Sequence, residues 1–278
     1  MSFSYYVVKY FDGMSVRQYL EWHKLSSKKV NTIVNEKKYL INESNTNNII
    51  HEGDTLTIFD IFSENEVSPI FQDIDVLYLD EHILIVEKSD NLIIHSDNPN
   101  DITLDRIVSG IMVKNGLKPI PRHIYRLDRD TTGIMVYALD PLTFAKMNND
   151  VENKTCKKTY YAITSSNIPD SGTIDKPIGK DRHINSKMVI SKNGKESITN
   201  YKVIGKNEKF ALLKVNLETG RTHQIRLHLS SIGFPIVGDS LYGSKINKKM
   251  QLQATSIRFN HPIKKIDLTF TVKSKLSL

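Results

Sequence analysis

The sequence predicts an α+β fold: one large domain built on a mostly antiparallel mixed sheet, preceded by a small α+β unit. Three observations support this. From residue 159 onward, strand-like runs rich in β-branched and aromatic residues follow one another at 160–164, 187–190, 199–204, 211–215 and 267–272. Few long helices alternate with these strands, which argues against a doubly wound parallel sheet. The first sixty residues follow a different rhythm of strand, two short helices and two short strands, and the polar stretch 63–72 (SENEVSPIFQ) reads as a linker. The expected organisation is therefore 1–62, linker 63–72, and a main domain over 73–278.

Each element has a local cause. Residues 4–10 (SYYVVKY) favour a strand closed by the turn Asp12-Gly13. Ser15 caps a helix through Trp22, with Gln18 three residues on in capping-box position. A second helix starts at Ser26 or Ser27, and the spacing of Val30, Ile33 and Val34 puts them on one face. Short strands around 39–42 and 55–59 are separated by His51-Glu52-Gly53-Asp54. This helix–helix–strand–Gly-Asp–strand pattern resembles the S4 RNA-binding module. As an RNA grip it would rely on Lys24, Lys28, Lys29, Lys37 and Lys38; as a structural cap it would need none of them. In the main domain, 74–80 and 83–88 are β-rich runs about the turn Asp80-Glu81-His82. Residues 103–115 favour a helix, Thr143 is a candidate cap for a helix through Met147, and 223–230 form a helical break among the later strands.

Composition narrows the class. With 39% hydrophobic and 25% charged residues in 278, the chain can fill a core. No run of about 20 apolar residues is present, so no membrane span is expected, and the N-terminus lacks the basic and apolar regions of a signal peptide. The single cysteine, Cys156, cannot form an internal disulfide, and no Cys/His set has zinc spacing. A cytoplasmic protein without metal is expected. The net charge of +7 is unevenly spread: zero over 1–62, −7 over 63–150 and +14 over 151–278. A surplus that concentrated favours a polyanionic partner such as nucleic acid.

The candidate chemistry begins at Arg126-Leu127-Asp128-Arg129-Asp130-Thr131-Thr132-Gly133, a charged turn feeding the apolar run 134–138. A nearby arginine stabilises an ionised carboxylate, so Asp128 can serve as nucleophile, base or ion-pair partner. Further blocks follow in order: Lys158-Thr159-Tyr160-Tyr161-Ala162, then Thr219-Gly220-Arg221-Thr222-His223-Gln224-Ile225-Arg226-Leu227-His228-Leu229, then Pro235-Ile236-Val237-Gly238-Asp239, and finally Leu252-Gln253-Ala254.

In these blocks and their order, residues 73–278 resemble the RluA family of RNA pseudouridine synthases, in which an S4-like N-terminus is a common companion. The resemblance implies isomerisation of uridine to pseudouridine in ribosomal or transfer RNA by a monomer, without cofactor or metal. It makes Asp128 the catalytic aspartate, Tyr160 the active-site tyrosine, and Arg221 the arginine expected to pair with Asp128. Arg126 is expected to fill the space left by the target base, which must leave its stack to be enclosed. Leu127, Gln224 and Arg226 are the further substrate-contacting candidates, with Gln224 and Arg226 alternatively bracing the site. His223 and His228 lie five apart on one helix, unlike the four-residue spacing of helical metal pairs.

Three blocks depart from the family pattern. Tyr125 stands where the first block starts with histidine, Lys88-Ser89-Asp90-Asn91 replaces Lys-Pro-x-Gly, and Gln253 replaces histidine in Leu-His-Ala. Two rivals to an RNA isomerase are a non-catalytic RNA-binding or ribosome-assembly protein and a glycosidase using Asp128 with Asp130. The intact Asp128, Tyr160 and Arg221 oppose the first. The basic C-terminal half opposes the second, because a neutral glycan has no use for it.

Overall fold

The computed structural model describes residues 2–44, 47–59, 65–184, 187–276 and 278. The N-terminal unit contains β1 (Ser2–Tyr6), α1 (Val16–Trp22), α2 (Ser27–Asn35), β2 (Tyr39–Ile41) and β3 (Thr55–Phe59), its three strands in the order β1-β3-β2. The expected capping box is formed: Ser15 Oγ accepts from the Gln18 amide, and the Gln18 side chain accepts from the Ser15 amide at 2.8 Å.

This unit does not stand apart. Its core of Tyr5, Phe11, Tyr19, Leu20, Ile33 and Leu56 also takes in Leu142 and Ile263 of the main domain, and the Tyr5 ring stacks on His82. Residues 63 and 64 of the expected linker lie outside the described residues. From Val67 onward the segment is docked: the Val67 amide donates to Pro119 O and the Ile70 amide to Arg106 O, both at 2.8 Å. Ile70 packs against the main core.

The main domain comprises β4 (Asp75–Leu79), β5 (Ile83–Lys88), α3 (Leu104–Lys114), β6 (Arg122–His123), β7 (Thr132–Ala138), α4 (Pro141–Glu152), β8 (Lys157–Ser165), β9 (Ser171–Asp175), β10 (Ile178–Lys180), β11 (Met188–Ile190), β12 (Ile198–Lys206), β13 (Phe210–Leu217), α5 (Gln224–Ser231), β14 (Leu252–Asn260) and β15 (Asp267–Thr271). The large sheet runs β4-β5-β7-β14-β8-β13-β12-β9, with β6 added to β7 and β15 to β14. Every pairing is antiparallel except β7 with β14, as the sequence predicts for a mostly antiparallel mixed sheet. The helix expected from a Thr143 cap starts earlier instead. Asp140 is the N-cap, accepting from the Thr143 amide at 2.9 Å, and Pro141 occupies the first turn, where a missing N–H costs nothing.

The continuous apolar run Ile83-Leu84-Ile85-Val86 follows from burial on both faces. Leu84 and Val86 face the core made with α3 and α5, whereas Ile83 and Ile85 face the core beneath α4. Three neighbouring strands then fix the site. Gly133 at the start of β7 is level with Ala254 of β14, and Ala254 is level with Tyr160 of β8. Gly133 adopts φ +113, and a Cβ there would fall 2.1 Å from the Ala254 carbonyl oxygen. Only glycine permits that approach of backbones.

Candidate active site

The turn before β7 is closed by the Thr131 amide donating to Asp128 O at 3.1 Å. Beneath it the buried Lys88, last residue of β5, donates to Arg129 O at 2.7 Å and to Ser89 O at 2.9 Å. Burial lowers the Lys88 ammonium to about 8, against the opposing pull of Asp130, Asp128 and Asp90. Lys88 thus ties the end of a central strand to the loop that presents Asp128. The loop after it lacks the family's glycine, and Asn91 takes the left-handed conformation (φ 52) that asparagine tolerates.

Asp128 sits half-buried in a cleft of about 740 Å³ whose walls include Arg126, Leu127, Tyr160, Leu217 and Arg221. The structure brings Arg226, not Arg221, against it. Arg226 Nη1 donates to Asp128 Oδ2 at 3.0 Å, while Nε and Nη2 hold the two oxygens of buried Asp239 at 2.7 and 2.9 Å. Burial disfavours the Arg226 charge, but its hydrogen bonds and charge interactions with Asp239 and Asp128 outweigh it, and the guanidinium is held above its ordinary value. The expected Arg221–Asp128 pair is therefore corrected. Arg221 precedes α5, is exposed on the cleft wall, and donates from Nε to Glu196 O at 3.2 Å.

The physical reason is the turn into α5. His223 adopts a left-handed conformation (φ 55), so the chain reverses between Arg221 and the first helical turn. That reversal leaves Arg221 outside and carries Arg226 inward. His223 Nδ1 lies 2.9 Å from the Tyr242 hydroxyl, and its Nε2 lies 3.8 Å from Asp128 Oδ1. Burial depresses the His223 imidazole and Arg226 adds to this, with Asp128 opposing. His228 points elsewhere, its nitrogens 2.9 Å from Thr199 Oγ1 and Lys176 O. Among the described residues no three side chains gather as a metal site.

Of the two roles expected for Gln224, substrate contact and brace, its geometry is that of the brace. It is 2% exposed, its oxygen accepts from the Thr219 hydroxyl and the Arg221 amide, and its nitrogen donates to Ile198 O and Thr199 Oγ1. Arg226 is likewise spent on carboxylates. Arg126 is exposed on the cleft wall, and Leu127 is a buried wall residue continuous with the core. Tyr160 is buried beside Asp128; desolvation, reinforced by the Asp128 charge, raises its phenol above the ordinary value.

The cleft extends away from Asp128 to His95 and His123, which flank buried Asp105 at 3.3 Å each. Tyr125, in the histidine position of the family pattern, donates its hydroxyl to Ile134 O and carries the Lys158 ammonium 4.2 Å above its ring. Gln253, the other departure, pins the C-terminal tail by accepting from the Lys275 amide at 2.9 Å and donating to Lys273 O at 3.3 Å.

Sequence reasoning missed Lys88, His223 and Asp239 as parts of this site. The available signals were a lysine closing a strand that opens with four apolar residues and an aspartate fixed in the Pro-Ile-Val-Gly-Asp block.

Residues 82–231 match the family described as RNA pseudouridylate synthase. An uncharacterized RNA pseudouridine synthase of Bacillus subtilis, YhcT, is 38% identical over 231 residues, which cover 80% of this chain and 76% of that protein. Ribosomal large subunit pseudouridine synthase D of Pseudomonas aeruginosa is 34% identical over 203 residues, covering 71% of this chain and 62% of that one. Human RNA pseudouridylate synthase domain containing 1 shares the fold, with a TM-score of 0.62 and 23% identity over 76% of this chain and 86% of that one. Among the described residues, no helix is long and apolar enough to cross a membrane.

Proposed function

Because the chain belongs to the RNA pseudouridylate synthase family, we propose that it isomerises uridine to pseudouridine in ribosomal RNA, with Asp128 as its catalytic carboxylate. The observation that carries the choice of Asp128 is the 3.0 Å hydrogen bond from Arg226, which is itself locked to Asp239. In the reaction the C1′–N1 bond breaks, the uracil turns, and C5 bonds to C1′. C5 loses its proton and N1 gains one, so composition is unchanged.

A carboxylate can add to C1′, add to the ring, or remove a sugar proton; each use needs the fixed aim that Arg226 supplies. Tyr160, with its phenol held neutral, offers a ring to stack on the uracil and a hydroxyl to deliver a proton. Arg126, exposed on the cleft wall, is the side chain to replace the extruded base, and the exposure of Arg221 on the same wall supports a phosphate contact. The name of the Pseudomonas aeruginosa relative supports the ribosomal substrate. Such a substrate places the enzyme in the cytoplasm, where it acts as a monomer.

The test is to incubate ribosomal RNA with the protein and map pseudouridine. The expected result is new pseudouridine with the native chain and none with Asp128→Asn, at similar RNA affinity. Full activity in Asp128→Asn would reject the assignment, and absence of product with the native chain would favour a non-catalytic RNA-binding protein.

A further inference from the structure

A second hollow, of about 520 Å³, lies where the N-terminal unit meets the main domain. It is lined by Trp22 on one side and by Lys146, Lys157, Arg258 and Lys265 on the other, with Asp150 and Asp267 between them. Asp150 pairs with Lys146, and Asp267 with Arg258 at 3.3 Å. Lys157 and Lys265 have no ion-pair partner among the described residues. The Trp22 ring holds two ammonium groups, Lys146 at 4.9 Å and Lys265 at 4.3 Å from its centroid, and exposed Tyr10 holds Lys265 as well at 4.7 Å. Lys265 reaches this position from a left-handed backbone (φ 57), a conformation unfavourable for lysine. Asp150 already offsets the Lys146 charge, and Asp150 and Asp267 favour the charged form of Lys265, but neither forms an ion pair with Lys265, whose ammonium is left open to a further anion.

The hollow is linked to the Asp128 cleft through shared wall residues. A smaller depression of about 200 Å³ at the C-terminal end of α4 shares Lys158 and Arg221 with that cleft, and shares Lys157 with the Trp22 hollow. Lys154 adds a further cation along this path. A track of three neighbouring hollows therefore leads from the catalytic aspartate, past Lys158, Lys154 and Lys157 and the carboxylates of Glu152 and Glu218, to an aromatic–basic end partly supplied by the N-terminal unit.

We propose that this track binds the RNA strand flanking the target uridine, with phosphates on Lys157, Arg258 and Lys265 and a base or sugar against Trp22. Basic side chains along a groove with an aromatic at the end are what a single strand requires. The inference rests on the synthase reading for its ligand, and it gives the N-terminal unit a share in RNA recognition.

Trp22 is the only tryptophan of the chain, so its emission reports on the far end of the track without any substitution. The probes are fluorescein-labelled oligouridylates of five and twenty nucleotides, with binding followed by anisotropy and Trp22 emission followed with unlabelled strands. The longer strand is expected to bind more tightly and to change Trp22 emission, whether by stacking or by drawing the ammoniums off the ring; the pentamer should leave emission unchanged. In the variant Lys157→Gln/Arg258→Gln/Lys265→Gln, with fold checked by circular dichroism, affinity for the longer strand should fall at least ten-fold, and its log–log salt slope should flatten by about 2. Binding of the longer strand with unaltered Trp22 emission, or an unchanged salt slope in the variant, would overturn the proposal, as would failure of the longer strand to bind. Pseudouridine formation by the native chain is read separately, so loss of the track leaves the synthase reading standing.

Discussion

Arg226 joins two carboxylates that the chain places far apart: its Nη1 lies 3.0 Å from Asp128 Oδ2, and its Nε lies 2.7 Å from Asp239 Oδ2. The second contact is the more buried, so Asp239 fixes the guanidinium and the guanidinium aims Asp128. Asp239→Asn should therefore impair catalysis without touching substrate. The amide removes one charge and one acceptor, and a small misplacement of the reacting carboxylate costs about 100-fold in rate. Single-turnover rates on ribosomal RNA should fall by that order with unchanged RNA affinity. An unaltered rate would separate Asp239 from the chemistry. Arg226→Ala should in addition lower unfolding stability by about 3 kcal/mol, because it leaves buried Asp239 without its partner.

Arg221 and Arg226 stand five residues apart and should respond oppositely. Arg221 is exposed, and among the described residues its guanidinium hydrogen-bonds a backbone carbonyl and no carboxylate. Arg221→Ala should weaken RNA binding and flatten the salt dependence of binding by about 1 in log–log slope, leaving the single-turnover rate nearly intact. If it abolished the rate at saturating RNA, the arginine assignment would revert to the one the family pattern suggests.

Why the sequence pointed to the wrong arginine is a matter of geometry. From Gln224 to Leu229 every residue is buried, so α5 shows no polar face from which an inward arginine could be recognised. The left-handed His223 that reverses the chain is a non-glycine residue and carries no local signal. The Asp128–Arg226 contact spans 98 positions, and nothing local encodes it. By contrast, the Asp128 loop, Tyr160 in a strand and the mixed sheet were legible, because turn chemistry and alternating burial are local. The N-terminal unit was legible as elements but not as a docked body, since Leu142 and Ile263, which complete its core, come from elsewhere in the chain.

Gly133 connects fold and site. A Cβ there would meet the Ala254 carbonyl oxygen at 2.1 Å, and the φ of +113 disfavours any other residue. Gly133→Ala should force β7 and β14 apart at their parallel pairing, directly after the Asp128 loop. The expected cost is roughly 3 kcal/mol from strain and lost pairing, read as a lower denaturant midpoint together with loss of activity. A variant as stable as the native chain would show that the close approach is dispensable.

Acid should weaken the N-terminal unit through His23. Its ring is wholly buried, 4.3 Å from Tyr19 and 4.8 Å from Trp22 between ring centroids. Burial lowers it from 6.5 to about 4; the Tyr19 carbonyl, 2.8 Å from Nδ1, and Asp140 oppose that shift, while Lys146 and His82 add to it. Because the folded value lies below the unfolded one, the unfolded chain takes up the proton first as pH falls. The stability contribution is complete above about pH 6.5 and is lost as pH drops through about 4, a total of about 3 kcal/mol. Carboxylates titrate over the same range, so the comparison must be differential. Denaturant midpoints of the native chain and of His23→Phe, measured at pH 7.5 and pH 4.5, should show a smaller drop in the variant. Equal drops would mean that His23 is not the group through which acid acts.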